Sequence, residues 1–154
     1  MGAARIGRDR ADSTPHWPPR RQARPGAPNI VVILMDDMGW SDPGCFGGEI
    51  ETPHMDRLAA RGLRLAHYTT HPICSPARAA LLTAVNAHAA GTGWLANNDP
   101  GYPGYRGEIP PDCATLPETL RAAGYATCMT GKWHNTPTPD CTPAGDRRSW
   151  PLQR

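Results

Sequence analysis

The sequence predicts an α/β fold, and three observations predict it. Residues 29–35 (NIVVILM) form a continuous β-branched and aliphatic run, the pattern of a strand buried on both faces of a parallel sheet. A helix and then an alternating segment follow, so strand, helix and strand succeed one another at the spacing of a βαβ unit. The residues with unusual chemistry fall where strands end, which is the edge at which open α/β sheets hold their ligands.

Taken in order, the first strand stops at Asp36-Asp37 and gives way to a Gly-rich loop over 38–51. Thr52 and Pro53 supply an N-cap and a proline at the first helical position; the helix runs over 54–61 and stops at Gly62, placed as a C-terminal glycine. Residues 63–68 alternate as a second strand would. The next helix is expected to start at Pro76, with Ser75 as its N-cap, and to run through 77–82. Residues 85–111, rich in Gly, Asn, Asp and Pro, read as a long functional loop. Thr115-Leu116-Pro117-Glu118 is a capping box whose helix ends at Gly124. Residues 125–130 make a third strand that ends at Gly131-Lys132-Trp133-His134, and no regular element is expected from Asn135 on.

With 154 residues the chain is expected to hold one domain. Sixteen Lys+Arg against fourteen Asp+Glu exclude a polybasic nucleic-acid binder, and no apolar run is long enough to span a bilayer. The first 28 residues hold six Arg, five Pro and two Asp, a net +4, while the ten basic and twelve acidic residues of 29–154 give −2. Residues 1–27 therefore read as a disordered Arg/Pro-rich leader ahead of a domain over 28–154. That leader lacks the apolar core of a secretory signal, so a cytoplasmic chain is expected. A misassigned start codon would leave the periplasm or secretion open. The five cysteines (45, 74, 113, 128 and 141) form no C-x-x-C pair and are expected to be reduced thiols. Fifteen of the sixteen basic residues are Arg, which makes Lys132 the only ammonium on a side chain.

Three clusters carry chemistry. Asp36 and Asp37 are adjacent carboxylates that repel one another unless a cation or donor intervenes, and oxygen ligands suit calcium or magnesium. Considered alone, the pair reads as a turn. In Cys74-Ser75-Pro76-Ala77-Arg78 the cysteine lies at the positive end of a helix and the arginine within its first turn, an arrangement suited to a tetrahedral oxyanion; considered alone, the motif reads as a buried structural cysteine with the arginine on a solvated helix face. Lys132 and His134, two residues apart on an extended stretch, share a face with Trp133 opposite, and offer a point cation beside a titratable imidazole; considered alone, His134 reads as a satisfied loop histidine.

The segment 28–134 resembles the N-terminal portion of a type I sulfatase of the arylsulfatase kind. The resemblance rests on P-N-I-V-V-I-L-M-D-D-M-G at 28–39, T-P-H-M-D-R-L-A-A-R-G at 52–62, C-S-P-A-R-A-A-L-L-T at 74–83 and G-K-W-H at 131–134. It implies an alkaline-phosphatase-like parallel-sheet sandwich, of which only the N-terminal part is expected here, and hydrolysis of sulfate monoesters. It also implies that a formylglycine-generating enzyme oxidises Cys74 to formylglycine, whose hydrate is the nucleophile and a metal ligand. By the same resemblance Asp36 and Asp37 are ligands of a divalent cation, usually calcium, with magnesium as the alternative. Arg78 then stabilises the hydrate, Lys132 contacts a sulfate oxygen, and His134 hydrogen-bonds the diol and helps expel sulfate. The implied partners are a small sulfate ester and the modifying enzyme, with neither nucleic acid nor membrane.

The chain departs from the family at Leu82-Thr83-Ala84, where L-T-G is usual, and in its length. A second metal-ligand pair, a leaving-group histidine and another lysine are expected downstream in the family. The sequence therefore reads as a truncated arylsulfatase, inactive alone. The alternatives are a non-catalytic remnant and a phosphonate or phosphate monoester hydrolase of the same superfamily.

Overall fold

Three helices carry the regular structure of the computed structural model, which describes residues 4–16 and 22–137. Cys141, the stretch after 137 expected to be irregular, and residues 1–3 and 17–21 of the expected leader lie outside the described residues. Within 4–16, Arg5 and Thr14 pair as an isolated antiparallel bridge.

Helix α1 spans Pro53–Arg61, and Pro53 sits in its first turn, where the missing N–H has no helical partner to lose. Thr52 occupies the N-cap, but its hydroxyl bonds the preceding loop and a side chain of the helix, not a free helical N–H. It accepts from Gly44 N at 2.9 Å and donates to Asp56 Oδ1 at 2.9 Å. A short 3-10 turn, Gly44–Phe46, is thereby tied to α1. The helix stops at Gly62 as expected, and that glycine leaves it in an extended conformation (φ −122°, ψ −152°).

Helix α2 spans Cys74–Thr83 and begins two residues earlier than the sequence suggests. Ile73 is its N-cap, so Ser75 lies inside the first turn, and its hydroxyl accepts from Ala96 N at 3.2 Å. The expected Ser75 cap is thus replaced by a tie to the long loop. Pro76 is still tolerated because the third helical position also has an N–H without an intrahelical acceptor. The helix closes on Ala84 in the left-handed region (φ 58°), whose N–H donates to Ala80 O at 2.9 Å.

Helix α3 spans Leu116–Ala122 and carries the expected capping box. Thr115 N donates to Glu118 Oε2 at 2.8 Å and Glu118 N donates to Thr115 Oγ1 at 3.4 Å. Gly124 follows with φ 92°, the left-handed exit that glycine adopts without a Cβ penalty.

The structure does not show the expected sheet. Among the described residues no strand ladder forms; the only pairings are the isolated bridges Arg5↔Thr14, Pro43↔Ile50 and Thr92↔Tyr105. Residues 29–35, 63–68 and 125–130 run as irregular segments, and Val31 and Ile33 are 80% and 75% exposed. The physical reason is lateral. A strand is held by neighbours on its edges and faces, and an apolar run supplies neither by itself.

The packed centre lies instead around α2. Ala79, Ala90 and Ile109 are buried together, with Leu82, Cys113 and Trp133 against them. The 85–111 loop wraps this centre through Thr92 N to Ala87 O (2.8 Å), Gly93 N to Gly104 O (2.8 Å) and Gly107 N to Gly91 O (3.1 Å). Its outer part is closed by an ion pair between Asp99 and Arg106 at 2.9 Å. That loop and the 131–136 segment hold the first turns of α2 between them. No described helix is long and apolar enough to cross a membrane.

Candidate active site

Cys74 is the first residue of α2, so its thiol stands at a helix N-terminus where unpaired N–H groups and the helix dipole favour negative charge. It is half-buried and free, as are Cys45 and Cys113; Cys128 is free and exposed. The His134 ring closes on it, with Nδ1 3.1 Å from Sγ. His134 is brought there by a backbone bend with φ 55°, where a continuous extended stretch was expected. Burial, then the nearby charges of Lys132 and Arg78, push the imidazole below its ordinary value and favour its neutral form.

Arg78, one turn into α2, is buried and spans the cluster. Nη1 donates to Lys132 O at 2.6 Å and Nη2 donates to Asp36 Oδ1 at 3.1 Å, while Nε is buried without a partner. The second Asp36 oxygen accepts from Lys132 Nζ at 2.6 Å. The hydrogen bond from Lys132, followed by that from Arg78, holds the Asp36 carboxyl below the usual carboxylate range. The same bond to Asp36 raises Lys132, with Cys74 close enough to add to it.

The structure therefore brings Asp36, Cys74, Arg78, Lys132 and His134 into one cluster from three separated segments. It does not bring Asp37, which has φ 55° and whose carboxylate makes no hydrogen bond or ion pair among the described residues. Trp133 points away from the cluster into the packed centre, and its indole N–H donates to Thr136 Oγ1 at 2.7 Å. The groove lined by Trp40, Ala66, His67, Tyr68 and Thr69 contains no member of the cluster. With Asp36 and Lys132 side chains 37% and 40% exposed, the cluster opens to solvent on the Asp36 side.

A calcium cage takes six or more oxygens. The described residues do not assemble one: no group of three or more His, Cys, Asp or Glu is placed to hold a metal ion. Both oxygens of Asp36 already face cations. The guanidinium, the ammonium and the helix N-terminus lie together in this cluster, the two cations joined through Asp36.

Two residues next to this cluster were not singled out in the sequence. In sequence Ser75 has the place of a cap and Asn135 that of the start of an irregular tail; both are buried. No local signal marks Asn135, since the partner that gives it a role, Ser75 O, lies on another segment.

The family model described as Sulfatase matches residues 28–146. An uncharacterised sulfatase of Schizosaccharomyces pombe is 45% identical over 131 residues, covering 80% of this chain and 24% of that protein. An arylsulfatase of Klebsiella aerogenes is 42% identical over 118 residues, covering 75% of this chain and 25% of that one. An N-acetylgalactosamine-6-sulfatase of Homo sapiens is 44% identical over 117 residues, covering 71% and 22%. The chain thus spans about a quarter of the length of these relatives. Its motifs run in the family's order and the match covers most of its length, so the chain belongs to the sulfatase family.

Proposed function

We propose that this chain supplies the nucleophile-bearing part of an arylsulfatase-type hydrolase that cleaves sulfate monoesters. The observation that carries the reading is the placement of Cys74 Sγ at a helix N-terminus, 3.1 Å from His134 Nδ1, with Arg78 and Lys132 joined through Asp36 beside it. Arylsulfatase and N-acetylgalactosamine-6-sulfatase are the names of two relatives. The activity is proposed for a protein that carries the rest of the family's length.

Cys74 is the proposed site of conversion to formylglycine by a separate enzyme. It is half-buried, and an imidazole nitrogen already faces its reactive atom. When present, the hydrated aldehyde supplies one hydroxyl to attack sulfur and a second whose deprotonation expels sulfate. His134 is placed to take that proton at Nδ1 in its neutral form. Arg78, anchored to Lys132 O and Asp36, holds the position-74 side chain against developing negative charge. Lys132 directs its ammonium to the same locus and is assigned to a sulfate oxygen. Asp36 and Asp37 are assigned to a divalent-cation site, most suitably calcium. They are two carboxylates of a larger oxygen set, so the charge stabilisation argued here is that of Arg78 and Lys132.

The test has two arms. Coexpression with a formylglycine-generating enzyme, followed by peptide mass spectrometry, is expected to place the aldehyde on Cys74. Appending the remainder of the Klebsiella aerogenes arylsulfatase is expected to give release of phenol from an aryl sulfate, lost in Cys74→Ala. An intact thiol at Cys74 beside a converted control sulfatase overturns the nucleophile assignment. Turnover of an aryl phosphonate or phosphate in preference to the sulfate overturns the substrate class.

A further inference from the structure

Asn135 has no part in the chemistry just described, yet it is among the most deeply buried polar side chains, 1% exposed. A buried amide is expensive unless its groups are paired, so its partners are informative. In the orientation that satisfies its neighbours, the amide nitrogen donates to Ser75 O at 2.9 Å and to His134 O at 3.2 Å. One side chain therefore ties the backbone next to Cys74 to the backbone of His134.

Both ends of that tie are themselves fixed. Ser75 is fully buried and its hydroxyl accepts from Ala96 N at 3.2 Å, so the 85–111 loop holds it from the other side. His134 takes a left-handed backbone conformation (φ 55°) that a histidine adopts only at a cost, and its carbonyl accepts from the Asn135 amide. On the far side of Asn135, Thr136 is buried and accepts from the Trp133 indole at 2.7 Å, while Trp133 packs on Ala79, Ala90 and Ile109. Residues 133–136 thus form a compact bend with Trp133 inward, Asn135 under the first turn of α2, and the His134 ring turned onto Cys74 Sγ.

We propose that Asn135 is a positioning residue: its amide clamps Ser75 O to His134 O and thereby sets the His134 ring against the position-74 side chain. The proposal rests on the site reading above for its functional meaning, but the clamp itself is testable on the thiol form of the chain, with no conversion and no turnover needed. Loss of the amide frees the bend, and the imidazole no longer faces Sγ.

The experiment measures the iodoacetamide alkylation rate of each cysteine by mass spectrometry in the 154-residue chain and in Asn135→Leu, His134→Ala and the double variant. Helical circular dichroism and the alkylation rate of Cys113, which packs on the core, report whether the fold persists. His134→Ala is expected to speed alkylation of Cys74 roughly fivefold, the factor of one ordinary hydrogen bond, because a neutral Nδ1 that accepts from the thiol holds it in the unreactive protonated form. Asn135→Leu is expected to speed Cys74 alone by a similar factor, and the double variant by no more than His134→Ala. Asn135→Ala, which inserts no bulk, repeats the test where the leucine variant loses helical signal. An Asn135 variant that is folded yet leaves Cys74 unchanged overturns the proposal, and so does an effect that multiplies with that of His134→Ala. An unchanged Cys74 rate in His134→Ala itself overturns it too. A failure of the sulfatase reading would show separately, as an unconverted Cys74 in which the thiol coupling to Asn135 is nonetheless present.

Discussion

Lys132 Nζ lies 2.6 Å from Asp36 Oδ2, a bond that joins positions 96 residues apart and is shared, through the other carboxylate oxygen, with Arg78. The single lysine of the chain is thereby held at the edge of the Cys74 cluster, and its backbone carbonyl is held as well, by Arg78 Nη1. An arginine at 132 would bring a planar fork where the geometry uses a point charge on a flexible stem.

Lys132→Ala is expected to separate catalysis from stability. The Asp36 pair is solvent-exposed, so the thermal midpoint of the 154-residue chain should barely move. In the protein completed with the rest of a relative, kcat for an aryl sulfate should fall about 100-fold or more, the usual consequence of removing one fixed charge from a transition state. Phenol release and a melting curve on the same variant check both halves. Arg should rescue poorly.

Calcium should bind this chain weakly. Asp36 is engaged by two cations, and Asp37 lies apart from the cluster without a polar partner among the described residues. Calorimetry is expected to give a Kd of about 1 mM or weaker, at the feeble end of natural calcium sites. Micromolar binding would mean that the carboxylates are arranged as a cage.

Ala84→Gly is expected to stabilise the chain. Ala84 closes α2 in the left-handed region at φ 58°, where its Cβ is unfavourable, and this is the position at which the resembling family usually has glycine. Removing that strain is worth about 1 kcal/mol, offset in part by the extra freedom of glycine in the unfolded chain. A urea titration with unchanged slope and a higher midpoint is the expected outcome.

The 85–111 loop should loosen in acid. Asp99 Oδ1 accepts from Gly101 N at 2.7 Å and Oδ2 from Arg106 Nε at 2.9 Å. The Gly101 amide first, and Arg106 second, hold the Asp99 carboxyl below its ordinary value of 3.8. The folded chain thus favours the ionised form. The contribution is complete above that ordinary value and is lost as pH falls through the lower folded value. Hydrogen exchange of Gly101, corrected for its intrinsic rate, should accelerate over that range, and Asn in place of Asp99 should remove the pH dependence.

Sequence alone determined what depends on near neighbours. The capping box at Thr115 and Glu118, the proline at the start of α1 and the left-handed exit at Gly124 are each local backbone chemistry, satisfied within a few residues. The motifs around Asp36, Cys74 and Lys132 were legible for the same reason, because residue type and spacing specify which charges a short segment can present. Tertiary structure decided what depends on distant partners. The run at 29–35 has the composition of a strand but, among the described residues, no neighbour to pair with, and it remains unladdered. Ser75 has the chemistry of a cap but is used by Ala96, and Asn135 carries no signal until Ser75 and His134 are folded around it. A hydrogen bond between segments is specified by neither segment, so only the folded chain could show one buried amide bonded to both Ser75 O and His134 O.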